Sequence, residues 1–95
     1  MTFAVTLEYD PTDPKIDEYR PLHRTYLGGL RDAGKLVLSG PFAGNVGGLV
    51  VYEAPSLEEV QALVDADPFT IHGVTKKHTI RQWTIVVNAT KSGPV

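Results

Sequence analysis

The chain of 95 residues is long enough for one two-layer domain with a modest core and too short for two separate cores. Its 42% hydrophobic and 21% charged residues are ordinary for a soluble globular protein, and no apolar run approaches membrane-spanning length, so no membrane association is expected. A net charge of -2, with Lys76-Lys77-His78 as the only tight basic cluster, argues against a nucleic-acid partner. The absence of cysteine excludes disulfides, thiolate nucleophiles and thiolate zinc sites. The N-terminus lacks a basic region followed by an apolar stretch, which makes the cytoplasm the expected location.

Phe3, Val5, Leu7 and Tyr9 alternate with Thr2, Ala4, Thr6 and Glu8, the period of a strand with one apolar face. Asp10-Pro11-Thr12-Asp13-Pro14 is turn chemistry. An irregular turn over Ile16 to Arg20 then leads to Pro21, which the sequence places at the first position of a helix reaching about Ala33. Leu22, Tyr26, Leu27, Leu30 and Ala33 form its stripe, Gly34 is its expected left-handed cap, and Gly28-Gly29 suggests close packing on the sheet or a partner subunit.

Leu36-Val37-Leu38 reads as a second strand that ends in Ser39-Gly40-Pro41-Phe42, and Leu49 to Tyr52 reads as a third, with Gly44 to Gly48 as the hairpin between them. Ser56-Leu57-Glu58-Glu59 matches a capping box. Leu57, Val60, Leu63 and Val64 supply the buried stripe of the second helix, which Pro68 stops near Asp65 while holding Asp67 extended. A last strand is expected from about Lys77 to Val87, with Trp83, Ile85 and Val87 on one face. Residues 88–95 read as a polar tail.

The order of strand, helix, strand, strand, helix, strand, with short connections and right-handed crossovers, gives an α+β fold: a ferredoxin-like βαββαβ sandwich on a four-stranded antiparallel sheet. Both helices cover one face. The other, with Thr84 and Val86, needs cover, and a homodimer packed sheet against sheet is the simple solution.

In this topology His23, Ser39-Gly40-Pro41, Gly47-Gly48, Asp67-Pro68-Phe69 and His78 gather at one end of the sheet. Without cysteine, a histidine beside a carboxylate is the best machinery the chain has for proton transfer. In the first turn of its helix His23 would feel the positive end of the backbone dipole, which favours the neutral imidazole, while Asp67 would hold one ring tautomer and stabilise the imidazolium. His23 is therefore a candidate general base and Asp67 its orienter. Taken by themselves, the residues read more readily as a half-buried helix histidine at position 23 and an ordinary helix stop at Asp67-Pro68. Arg20 could contact a substrate anion or pair with Asp17 or Glu18 in solvent. Ser39 lacks a nucleophile-elbow pattern and reads as a binding hydroxyl, beside the Gly40-Pro41 backbone. Gly44 to Gly48 lacks the spacing of a phosphate loop, and His72 and His78 lack the helical spacing of metal ligands, so neither a nucleotide nor a metal site is expected.

Arg20-Pro21-Leu22-His23 with Tyr26-Leu27, Gly34, Ser39-Gly40-Pro41, Gly47-Gly48, Asp67-Pro68-Phe69 and Trp83 together resemble the YciI-related (YCII) domain family over nearly the whole chain. The resemblance implies a dimeric α+β barrel with a pocket centred on a histidine and an aspartate, which map to His23 and Asp67. One branch of that family resembles a dehydrochlorinase of a chlorinated hydroxyquinol, and the fold is similar to muconolactone isomerases and small cofactor-free monooxygenases. The implied chemistry is proton movement on a small molecule without a bound organic cofactor. A lyase or isomerase is the leading expectation, beside a non-catalytic small-ligand-binding or accessory domain and, behind both, a cofactor-free monooxygenase on the same scaffold.

Overall fold

The alternation of apolar and polar side chains over residues 2–9 becomes strand β1, Thr2–Tyr9, in a computed structural model that describes residues 1–87. Helix α1 (Lys15–Asp32), strand β2 (Leu36–Pro41), strand β3 (Gly47–Glu53), helix α2 (Leu57–Asp65), a short helix α3 (Pro68–Ile71) and strand β4 (Thr75–Gln82) follow. The sheet order is β2-β3-β1-β4 with every neighbouring pair antiparallel, which is the ferredoxin-like α+β arrangement. Phe3, Val5 and Leu7 point to the helices and pack with Leu27, Val50, Tyr52, Val60 and Val64. A smaller cluster of Ile16, Phe69 and Val74 lies at the end of the sheet where β1 finishes, and Tyr9 packs against both clusters.

Several features differ from the sequence expectation. Helix α1 begins six residues before Pro21: the Asp13 carboxylate accepts the Lys15 N–H at 2.9 Å, and Asp17 and Glu18 sit in the first turn, where the positive end of the helix favours them. Pro21 is thus internal. It removes one backbone hydrogen bond, but buried Ile16 and the stacking of Tyr19 on His72, with ring centroids 3.9 Å apart, hold the first turns on α3. The Gly28-Gly29 pair makes no tight contact within the chain, since a Cβ at Gly29 would meet nothing within 4 Å.

Strand β4 stops at Gln82 rather than Val87, because its partner β1 runs out: Gln82 pairs with Phe3, and one further bond, from Trp83 N–H to Thr2 O at 2.8 Å, ends the ladder. Trp83, Thr84, Ile85, Val86 and Val87 lie beyond the strand. The expected tail of 88–95 is outside the described residues. The Ala43–Asn45 segment of the hairpin is a 3-10 turn in which Gly44 (φ 83°) and Asn45 (φ 56°) take left-handed backbone.

Helix α2 starts as expected, with Ser56 Oγ accepting the Glu59 N–H at 3.2 Å, although Leu57 is exposed and Val60 and Val64 carry the burial. Pro68 does end it, and immediately opens α3. On the far face of the sheet, Val51 lies opposite Ala4 and Leu38, and Leu38 is 52% exposed. No helix among the described residues is long and apolar enough to cross a membrane.

Candidate functional site

Asp67 occupies the junction of α2 and α3. The following proline holds it extended (φ -65°, ψ 130°), which turns its side chain back over the first turn of α3, so that Oδ1 accepts the Phe69 N–H at 2.9 Å. The same oxygen lies 2.7 Å from His23 Nδ1, across 44 residues of sequence. Asp67 is 2% exposed and the His23 side chain 11%. A buried carboxylate oxygen accepts, so Nδ1 carries the ring proton toward it and Nε2 is left as the free acceptor. The Phe69 ring, fixed by the α3 cap, stacks on the imidazole with centroids 4.0 Å apart and planes 2° from parallel.

His23 sits about two turns into α1, not in its first turn, because the helix begins at Lys15. The backbone dipole, which acts over the terminal turn, therefore contributes little at this position, contrary to the expectation that placed His23 in the first turn. What orients the ring is Asp67 on one nitrogen and Phe69 on one face.

A cavity of about 180 Å³ opens beside this pair. Ser39, Gly40 and Pro41 from the end of β2 form one wall with Gly48 and Val50 of β3. His23, Arg20, Arg24 and Leu27 of α1 form another, closed by Tyr9, Phe69 and Asn45. Arg20 is held by Asp17 at 2.6 Å, as the solvent-pairing alternative supposed, yet it also reaches Asn45 Oδ1 at 3.4 Å across the mouth. Ser39 is exposed at the rim. His78 does not join: it stands on β4 within 3.4 Å of Gln61 Nε2, in a separate groove under α2, and His72 stacks on Tyr19 instead. Among the described residues no group of three or more acidic or histidine side chains could hold a metal ion.

The buried carboxylate sets the electrostatics around it. Tyr9 is pushed up to about 12, first by burial and then by the negative charge of Asp67, with Arg20 opposing in part. Tyr52 and Tyr26 are also raised, mainly by burial and next by Asp67. Tyr26 donates to Leu63 O at 2.6 Å and so ties α1 to the end of α2 just before Asp67.

Tyr9, Arg24 and Asn45 were not singled out from sequence as site residues. Tyr9 was legible only as the last apolar position of β1. Arg24 carried a weak signal, lying four residues after Arg20 and so on the same helix face.

This arrangement can be set beside known proteins. The model of the YCII-related domain matches residues 1–84. The chain belongs to the YCII-related domain family. Protein YciI of Escherichia coli O6:H1 is 36% identical over 72 residues, covering 65% of this chain and 74% of that protein. Protein YjpA of Bacillus subtilis is 36% identical over 63 residues, covering 66% and 73%. Among solved structures, the 5-chloro-2-hydroxyhydroquinone dehydrochlorinase of Burkholderia phenoliruptrix AC1100, in complex with 2,5-dihydroxybenzoquinone, superposes with a TM-score of 0.77 at 24% identity, covering 88% of this chain and 94% of that one. At that identity the likeness concerns the fold, and it agrees with the YCII ferredoxin-like topology derived above.

Proposed function

We propose that this YCII protein is a cofactor-independent acid–base enzyme, a lyase or isomerase, that acts on a small cyclic molecule in the cytoplasm. The observation that carries this reading is the 2.7 Å contact between His23 Nδ1 and a buried Asp67 oxygen at the wall of a cavity. His23 Nε2 takes a proton from the substrate, and Asp67 stabilises the imidazolium that forms. The electron pair left on the substrate then either shifts a double bond, with the proton returned elsewhere, or expels an anion such as chloride, for net loss of HX. Arg20 at the mouth suits a negatively charged substrate oxygen, and Ser39 with the Gly40-Pro41 backbone provides polar contacts along the opposite wall.

A homodimer fits the sheet. On its far face Val51 is already buried but the neighbouring Leu38 is exposed, and a second copy packed there would cover Leu38.

The first substrate to try is 5-chloro-2-hydroxyhydroquinone, with chloride release as the readout. Wild type is expected to release chloride, and His23→Gln to lose at least about a hundredfold in rate while keeping its unfolding midpoint. Full activity in His23→Gln would sink the reading. Tight capture of 2,5-dihydroxybenzoquinone, with no turnover of this or related cyclic substrates, would favour a binding module.

A further inference from the structure

Tyr9 ends the apolar face of β1, where core gives way to cavity. Its ring meets Phe69 edge-on with centroids 5.3 Å apart, and Phe69 in turn stacks on His23 at 4.0 Å, so one aromatic ring spaces the tyrosine from the imidazole. Both residues line the same cavity. The hydroxyl lies against bare backbone: a Cβ built at Gly48 would come within 3.5 Å of Tyr9 Oη and 3.0 Å of Gly40 O. A Cβ at position 48 would thus press on the Gly40 carbonyl and just touch the hydroxyl.

Tyr26 spends its hydroxyl on Leu63 O, whereas Tyr9 Oη has no hydrogen-bond partner among the described residues. With its acidity suppressed by burial and by the Asp67 charge, Tyr9 keeps its proton at neutral pH and is available as a donor to whatever fills the cavity.

We propose that Tyr9 is a catalytic residue of this site, whose hydroxyl donates a hydrogen bond to the oxyanion that forms on a phenolic or carbonyl substrate as His23 removes a proton. The inference rests on the acid–base reading above for its catalytic role, but oxyanion binding by Tyr9 can be measured without turnover. When Nε2 takes a proton from an O–H, or from a carbon beside a carbonyl, the electron pair is left on oxygen, directly or through the enolate. Tyr9 stabilises that charge without giving up its own proton, and His23 retains the abstracted one until it is returned or leaves with the departing anion. A donor aimed at developing charge in a site shielded from water strengthens just as the barrier is reached.

The test uses two probes of matched size, 4-nitrophenolate and the uncharged 4-nitroanisole, titrated into the whole protein and followed by absorbance and calorimetry. Wild type is expected to bind the phenolate more tightly. Tyr9→Phe should weaken phenolate binding about tenfold and leave nitroanisole binding unchanged, because only the donor is removed. His23→Gln should keep the phenolate preference, which separates this inference from the base assignment. Equal phenolate affinity in wild type and Tyr9→Phe would overturn it, as would equal losses for both probes, which mark a packing role, or failure of wild type to bind the phenolate. Chloride release that ignores His23 would defeat the acid–base reading and leave oxyanion binding by Tyr9 standing.

Discussion

One oxygen of Asp67 serves both His23 and the backbone of α3: Oδ1 stands 2.7 Å from His23 Nδ1 and 2.9 Å from the Phe69 nitrogen. The contact that orients the imidazole is therefore also the cap that fixes the ring stacked on it. Two substitutions separate these roles. Asp67→Asn keeps a capping oxygen and the residue's shape, and should unfold within about 1 kcal/mol of wild type while turnover falls about a hundredfold or more. Asp67→Ala removes the cap and orphans a buried ring N–H, and should cost about 2 to 4 kcal/mol in urea unfolding. Equal stability of the two variants would show that the cap contributes nothing.

Tyr52 offers a test of the opposite sign. Its ring is fully buried among core residues, yet its hydroxyl has no partner among the described residues. Tyr52→Phe keeps the ring and removes an unsatisfied group, so a gain of about 1 kcal/mol is expected by chemical denaturation. A loss of stability would mean that the hydroxyl is satisfied in solution.

The same electrostatics predict alkaline sensitivity. Tyr9, Tyr26 and Tyr52 all hold their protons more tightly in the folded chain than at the ordinary value of 10.0. Their contribution to stability is fully present below pH 10 and is lost as pH rises through the folded-state values, which for Tyr9 means up to about 12. Stepwise denaturant unfolding across that window should show a falling midpoint, with a shallower slope in Tyr52→Phe. A flat profile would contradict the assignment.

Gly47 tests the closeness of β3 and β1 near the site. A Cβ there would lie 1.9 Å from Leu7 O and 2.9 Å from Leu7 C, both backbone atoms that have no rotamer to yield. Gly47→Ala should destabilise the fold by about 3 kcal/mol, measurable as a lower urea midpoint. A near-native midpoint would show that the strands can separate at this point without cost.

Much of this architecture was legible in the residues. The two-residue period of Phe3 to Tyr9, the Ser56 cap and the Asp67-Pro68 stop are local signals, and the ferredoxin-like order they imply already sends β1, β2 and the end of α2 to one end of the sheet. That order was sufficient to bring His23 toward Asp67. It was not sufficient for the details on which chemistry depends. Pro21 reads locally as a helix start, yet burial of Ile16 and the Tyr19–His72 stack extend α1 back to Lys15 and move His23 away from the helix end. His78 does stand opposite Leu7, near the end of the sheet where β1 finishes, but its place on edge strand β4 puts it under α2 beside Gln61 and not in the cavity.

What the sequence determined by itself is the set of elements and their order, because backbone periodicity, caps and prolines act over a few neighbouring residues. Tertiary structure alone decided that a single Asp67 oxygen caps α3 and holds His23, that Phe69 covers the imidazole, and that Tyr9 faces the same cavity. Those contacts join residues far apart in the chain, and their distances depend on how two hydrophobic clusters pack at the end of the sheet, which no local pattern encodes.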